Sequence, residues 1–561
     1  MPSSPEARPA VERLALALAA SLLFAPALAG AVWHGLAAPL GLTATPPGLP
    51  LTLAAEGVGA VGTLLAWWRG GLRAWLPAGG LALIGAAGLG GPSVASVPAL
   101  GALGAVGALA AGGAPRLMAW APASLDGWGR ANPRRAALWA LTALLVVGNM
   151  ARVSTFMADP SRMDLSATPT DTFFTRHSCL SAYVHGAELA LRGEPNLYLA
   201  DHWPRVGGVD APLPPDAAHI APFSLDTYGY PPPFLLVPGA MLALSPHFAT
   251  HRAIFFALSL ASLLLGYGWL AAFAGGRAHR TALLLGPLLF AAPPVFITLQ
   301  TGNAQILVAA AAVSSMVAFH RGRSSLGGLL LAFAALAKIS PGLLGVLLLT
   351  QRRWRDVGWT ALWALVLCGL TALVFGPEPF EAFVRYQLPR LSSGEALGFL
   401  DDRLDTVAMN LSPFGVPFKL AAMGIPVDAW AVGPRIGDAY TLLVMGIAAA
   451  VGLKPPATDH GRVCAWLALL TLAALRSPYA APLVEVSAIW MLGLLWPAVR
   501  SRGAVALFVA GWLGVLIQPP AFPETWMVPV SMVNLLVLYG LLAWVLLRAR
   551  DRVPRSTPET P

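Results

Sequence analysis

Charge is what this sequence has least of. Charged residues make up 11% of its 561 positions, where a soluble globular chain carries about 25%. That deficit excludes an ordinary soluble enzyme of this size. Cysteine is also scarce. Cys179, Cys368 and Cys464 are the three present, and the last two fall in separate apolar segments, so no disulfide framework is implied. The signatures of soluble nucleotide and zinc enzymes are missing: no P-loop, no G-x-G-x-x-G after a strand, no H-E-x-x-H. His177, His185, His202 and His219 share one polar stretch, but they lack the i, i+4 spacing of a zinc helix and read as surface residues. Neither a cofactor nor a metal ligand set is therefore read from the sequence. Asp401-Asp402-x-x-Asp405 reads as solvated acid rather than a cation site.

What the chain does have is apolar length. Hydrophobic residues reach 57%, with 57 glycines and 50 prolines besides, and the mean hydropathy is +0.67. Disorder needs low hydrophobicity, and membrane helices tolerate Gly and Pro better than soluble ones do. The fold class is therefore all-α, a polytopic integral membrane protein. Spans of roughly 20 apolar residues cross a ~30 Å core. They fall near 12–33, 51–68, 74–90, 94–112, 136–157, 253–275, 281–299, 303–320, 359–376, 438–453, 463–476, 482–498, 503–518 and 526–547. The expectation is about fourteen transmembrane helices.

The net charge of +9 does not point to nucleic acid, because the arginines sit in small clusters between spans. Short basic loops face the cytoplasm; Arg8 and Arg13 place the N-terminus there too. Acids concentrate elsewhere. The stretch 159–230 holds nine acids against four arginines, and 377–412 holds six against three. Both are expected outside. Alternation then requires two apolar segments not to cross. One is 231–246, expected as a helix on the outer surface. The other is 326–350, flanked by Arg323 and Arg352 and broken at Lys338-Ile339-Ser340-Pro341. Each half reaches only about 18 Å, so a re-entrant hairpin carries Lys338 into the membrane. An ionisable residue there is a functional candidate, with lysine snorkelling as the plainer reading.

A family resemblance runs through the same residues. Ala187-Glu188-Leu189-Ala190-Leu191-Arg192-Gly193, Leu197-Tyr198, Tyr228-Gly229-Tyr230-Pro231-Pro232-Pro233 and Pro238 resemble glycosyltransferase family 87. So do Gly302-Asn303-Ala304-Gln305, then Gly327-Gly328 through Lys338-Ile339-Ser340-Pro341 to Arg352-Arg353-Trp354-Arg355. Asn410-Leu411-Ser412 and Ser477-Pro478-Tyr479 fit weaker parts of the pattern. The resemblance covers roughly 136–500. It divides the chain into an additional four-span segment (1–135), a catalytic membrane domain (136–500), and two last spans with a basic tail (501–561).

The resemblance implies a GT-C type membrane enzyme. Such an enzyme moves a sugar, mannose in most of the family, from a polyprenyl-phosphate donor to a glycan or lipid acceptor. The implied place is the plasma (inner) membrane, with the active site on the extracytoplasmic side. An inverting attack needs a carboxylate to take the acceptor proton and a cation to meet the leaving phosphate. The pattern puts its aspartate where this chain has Cys179, so Asp171 and Asp164 become the base candidates, with Glu188 on a surface helix as an alternative. Lys338, Arg152 and Arg252 are the candidate phosphate ligands. Tyr230, Asn303, Gln305 and Asn410 are the candidates for sugar or acceptor. Glu485 is expected to pair with Arg476. A transporter or lipid-carrier flippase is the rival reading, although no internal repeat supports it. An inactive scaffold relative is a third.

Overall fold

A computed structural model describes residues 124–203 and 211–548. The expected spans at 12–33, 51–68, 74–90 and 94–112, most of the 1–135 segment, and the tail beyond 548 lie outside the described residues. Every regular element among the described residues is helical.

Among the described residues, four helices are long and apolar enough to cross a membrane: Phe248–Ala274, Trp354–Phe375, Ala429–Leu453 and Glu524–Arg548. The pair Gly276–Ala291 and Pro293–Thr301, bent by 62°, makes a fifth if counted as one span. The expected 281–299 run is thus broken by the proline that opens its second half, because proline lacks the N–H that would continue the helical ladder. Other expected spans are helices of lesser reach. Gln305–His320 and Asp459–Ala474 have 16 residues each, about 24 Å at the helical rise. Among the described residues, where ten of the fourteen spans were expected, the count on length and composition is four to five.

The 231–246 segment, expected as a helix on the outer surface, is helical, but Pro232, Pro233, Phe234 and Leu235 at its start are buried. A 3-10 turn over Pro232–Leu235 runs into the helix Leu236–Leu244. The 326–350 run is broken as expected too. Ser324–Ala337 has 14 residues and ends at Lys338, whose backbone is extended (φ −141°, ψ 128°). The chain resumes helically through Ser340–Gly342 and Leu343–Thr350.

Ser324–Ala337 packs against both Gln305–His320 and Trp354–Phe375. Its contact with the latter is backbone-close: a Cβ on Gly328 would sit 2.7 Å from the carbonyl carbon of Trp359. Small residues permit such approach between membrane helices. Trp354–Phe375 itself buries only Asp356, Thr371 and Phe375, and Leu365 and Leu373 are exposed.

Three local expectations are corrected. The helix Cys179–Leu191, which carries Glu188, is interior rather than superficial: Leu180, Tyr183, Val184 and Ala187 are all at or below 1% exposure. His185 on the same helix is buried against Trp203, not at the surface, because the loop folds back over it. Glu485 meets Gln518 at 3.2 Å, while Arg476 turns to Asp438 and Thr441.

Candidate active site

The site grows from a tight turn. Pro293–Thr301 ends at Gly302, whose φ of +67° is left-handed, a region that glycine enters without a Cβ penalty. A Cβ there would also lie 3.0 Å from that of Leu180. The turn delivers Asn303 and Gln305 to the N-terminus of the Gln305–His320 helix. The Oδ1 of Asn303 accepts from the Gln305 N–H at 3.0 Å, fixing both side chains relative to the helix start.

From there a connected polar network extends in two directions. Lys338 donates to the Oε1 of Gln305 at 2.8 Å and lies 5.6 Å from the centroid of the Tyr230 ring. The Tyr183 hydroxyl donates to that of Tyr230 at 2.8 Å and accepts the Ala304 N–H at 3.2 Å. On the other side, the Nδ2 of Asn303 donates to the Cys179 sulfur at 3.4 Å. That sulfur is 3.5 Å from the Nε2 of His177, which lies 3.8 Å from the Asp226 Oδ2. The Asp226 backbone N–H donates to Ser181 Oγ. Desolvation pulls the His177 imidazole down, but Cys179 and then Asp226 outweigh it and raise it to about 9.

The structure thus brings together Lys338, Tyr230, Asn303 and Gln305 around the cysteine that stands in the aspartate position. The Tyr228–Pro233 motif, the Gly302–Gln305 turn and the Lys338 break are far apart in sequence and adjacent in space. Asn303 and Gln305 are buried and Lys338 half-buried.

The other candidates stand apart from this network. Asp171 is exposed and caps the Thr172–Arg176 helix, its Oδ1 accepting the Phe173 and Phe174 N–H groups. His177 closes the other end of that short helix, about 9 Å away along the axis. Asp164 is exposed and held by Arg162 at 3.2 Å. Arg152 is bound to Asn149. Arg252 is fully buried, its guanidinium 3.9 Å from the Phe223 ring centroid and donating to the Phe156 carbonyl. Asn410 ties two loops together: it donates to the Pro478 carbonyl and accepts the Ser412 and Ala480 N–H groups. Asp401 accepts from Trp430 and Asp405 pairs with Arg403, so two of that acidic trio are committed to protein partners.

Asp226, His177, Tyr183 and Ser181 were not chosen from the sequence. The available signal was the position of His177 and Cys179 together at the expected aspartate, with Asp226 immediately before the Tyr228 motif.

Residues 228–478 match the model of glycosyltransferase family 87. The matched stretch contains Tyr230, Asn303, Gln305, Lys338 and Asn410; His177, Cys179 and Asp226 lie upstream of it. The match is narrower than the 136–500 expected; over those residues the chain is similar to the family, which indicates a glycosyltransferase, and the apolar helices suggest a membrane protein. No curated protein and no solved structure matches the chain.

Proposed function

We propose that the chain is a GT-C type inverting glycosyltransferase that moves a sugar, mannose in the first instance, from a polyprenyl-phosphate donor to a glycan or lipid acceptor. The reaction takes place at the extracytoplasmic face of a plasma (inner) membrane. The observation that carries this reading is the placement of Lys338. The family region supplies a lysine at the break of a half-length apolar helix, hydrogen-bonded to Gln305 and backed by Tyr230. A cation on short apolar helices suits a substrate whose phosphate sits at a lipid surface.

In this reading the donor phosphate replaces Gln305 as the partner of the Lys338 ammonium. Asn303, Gln305 and Tyr230 offer the sugar hydroxyls their donors and acceptors. The acceptor oxygen attacks the sugar C1 from the face opposite the phosphate. The new C1–O bond forms as the C1–O(phosphate) bond breaks, and its electron pair leaves on the phosphate oxygen. For Asp171 to take the acceptor proton, the acceptor must extend from the Lys338 network to the exposed start of the Thr172–Arg176 helix, where the Asp171 Oδ2 is not used by the helix cap. Asp164 is second to it because Arg162 already neutralises it. Charge that grows on the phosphate in the transition state is met by Lys338, so part of its contribution enters the rate.

The deciding experiment is product analysis of the purified chain incubated with a panel of polyprenyl-phosphate sugars and glycolipid acceptors. Transfer with inverted anomeric configuration supports the reading. Donor movement across vesicles without any new glycosidic bond would favour the flippase, and neither outcome the inactive scaffold.

A further inference from the structure

We propose that His177, Cys179 and Asp226 form a binding site for one transition-metal dication of the zinc type. The site stands on its own contacts and does not depend on the transfer reaction.

The three side chains each offer one ligand atom, and these atoms all lie within 4.8 Å of one another. Bond lengths of about 2.3 Å to sulfur and about 2.0 Å to nitrogen, at a tetrahedral angle, separate the two atoms by about 3.5 Å. Cys179 Sγ and His177 Nε2 are 3.5 Å apart. The same geometry asks for about 3.3 Å between nitrogen and carboxylate oxygen, and His177 and Asp226 stand at 3.8 Å. A small carboxylate rotation closes that difference.

A hydrogen-bonded relay is the competing account of a Cys–His–Asp grouping. In a relay the nucleophile and the orienting carboxylate use opposite ring nitrogens. Here both Cys179 and Asp226 approach Nε2. One ring nitrogen has a single hydrogen or a single lone pair to offer. Convergence of a sulfur and a carboxylate on it leaves a position for a cation between the three. A thiolate and a carboxylate together balance the charge of a dication, and thiolate with imidazole selects borderline metals over calcium or magnesium.

The surrounding contacts hold these atoms in place, as outer-sphere partners of a metal site do. Asn303 donates to the Cys179 sulfur at 3.4 Å. The Thr227 N–H holds the Asp226 Oδ1 at 2.8 Å, leaving Oδ2 to face His177. Phe173 stacks on the His177 ring, 4.7 Å between centroids and 13° between planes. Three protein ligands leave a fourth position for water or a substrate oxygen, the arrangement of an open zinc site.

The test uses the full-length chain in detergent, stripped with a chelator and titrated with Co²⁺ as the spectroscopic stand-in. The expected result is a thiolate-to-cobalt charge-transfer band that saturates near about one equivalent and is displaced by Zn²⁺. Cys179→Ser abolishes the band, and Asp226→Asn weakens binding about 10- to 100-fold. Cys464 also approaches a histidine, His460, at 3.6 Å, so a band that survives Cys179→Ser overturns the proposal. So does the absence of a band in the unaltered chain, or full affinity in Asp226→Asn. A second measurement needs no variant. Zn²⁺ should protect Cys179 from alkylation, read by peptide mass spectrometry, while Cys368 and Cys464 are unaffected. Equal alkylation of Cys179 with and without Zn²⁺ also overturns it.

Discussion

Lys338 and Gln305 meet at 2.8 Å across 33 positions of sequence, joining the end of one apolar half-helix to the start of its neighbour. In the proposed reaction the donor phosphate takes the place of that bond. Lys338→Met keeps the stem and removes the charge. The expected outcome is weaker donor binding and about a 100-fold fall in kcat/KM, with the elution profile of the folded protein unchanged. Lys338→Arg should restore part of the binding, since a planar fork copies a point charge poorly. Full turnover in Lys338→Met would reduce the residue to a snorkelling lysine.

Asp171→Asn removes a charge and almost no volume. As the proposed base, its loss should slow the chemical step by about 100- to 10,000-fold while donor affinity persists. The amide oxygen can still accept the Phe173 N–H, so the helix cap is largely kept. Single-turnover rates and donor titration separate the two quantities. A near-normal rate would move the base to Asp164 or Glu188.

Topology is checked by charge placement. A cysteine introduced at Asp201 should be labelled only from the extracytoplasmic side, and one at Arg355 only from the cytoplasm. Labelling of Asp201→Cys from the cytoplasm alone would invert the map and take the active site with it.

Asn410 makes three hydrogen bonds to backbone groups of two segments. Asn410→Ala leaves those buried groups without partners, so stability should fall by about 2 kcal/mol, seen as a lower Tm in detergent. Donor KM should hold. A KM that rises while Tm stays fixed would instead make Asn410 a substrate contact.

The long helices were legible because length and apolarity are local properties. Trp354–Phe375 and Glu524–Arg548 fall close to the expected 359–376 and 526–547. The break at Lys338 was legible for the same reason, since proline cannot continue a helix. The 62° bend before Pro293 was not, although its cause is the same: an apolar run on both sides hides a kink from hydropathy. The outer loop was least legible. Its burial of His185 depends on chain folding back over the Cys179–Leu191 helix, and no periodicity in the loop records that. The approach of Asp226 to His177 is likewise a tertiary fact. The family pattern drew attention to Cys179, while its neighbours in space came only with the fold.

The exposed face of Trp354–Phe375 ties the site to the bilayer. That helix has 22 residues, about 33 Å of rise, against a hydrocarbon thickness of ~30 Å. Through the Gly328 contact it is locked to the half-helix that ends at Lys338. On the proposed role of Lys338, acyl-chain length then becomes a control variable for catalysis: a thinner or thicker bilayer would shift the helix and, with it, the depth of the ammonium. In vesicles of graded chain length, turnover should pass through a maximum near the matched thickness, with no effector bound and no residue changed.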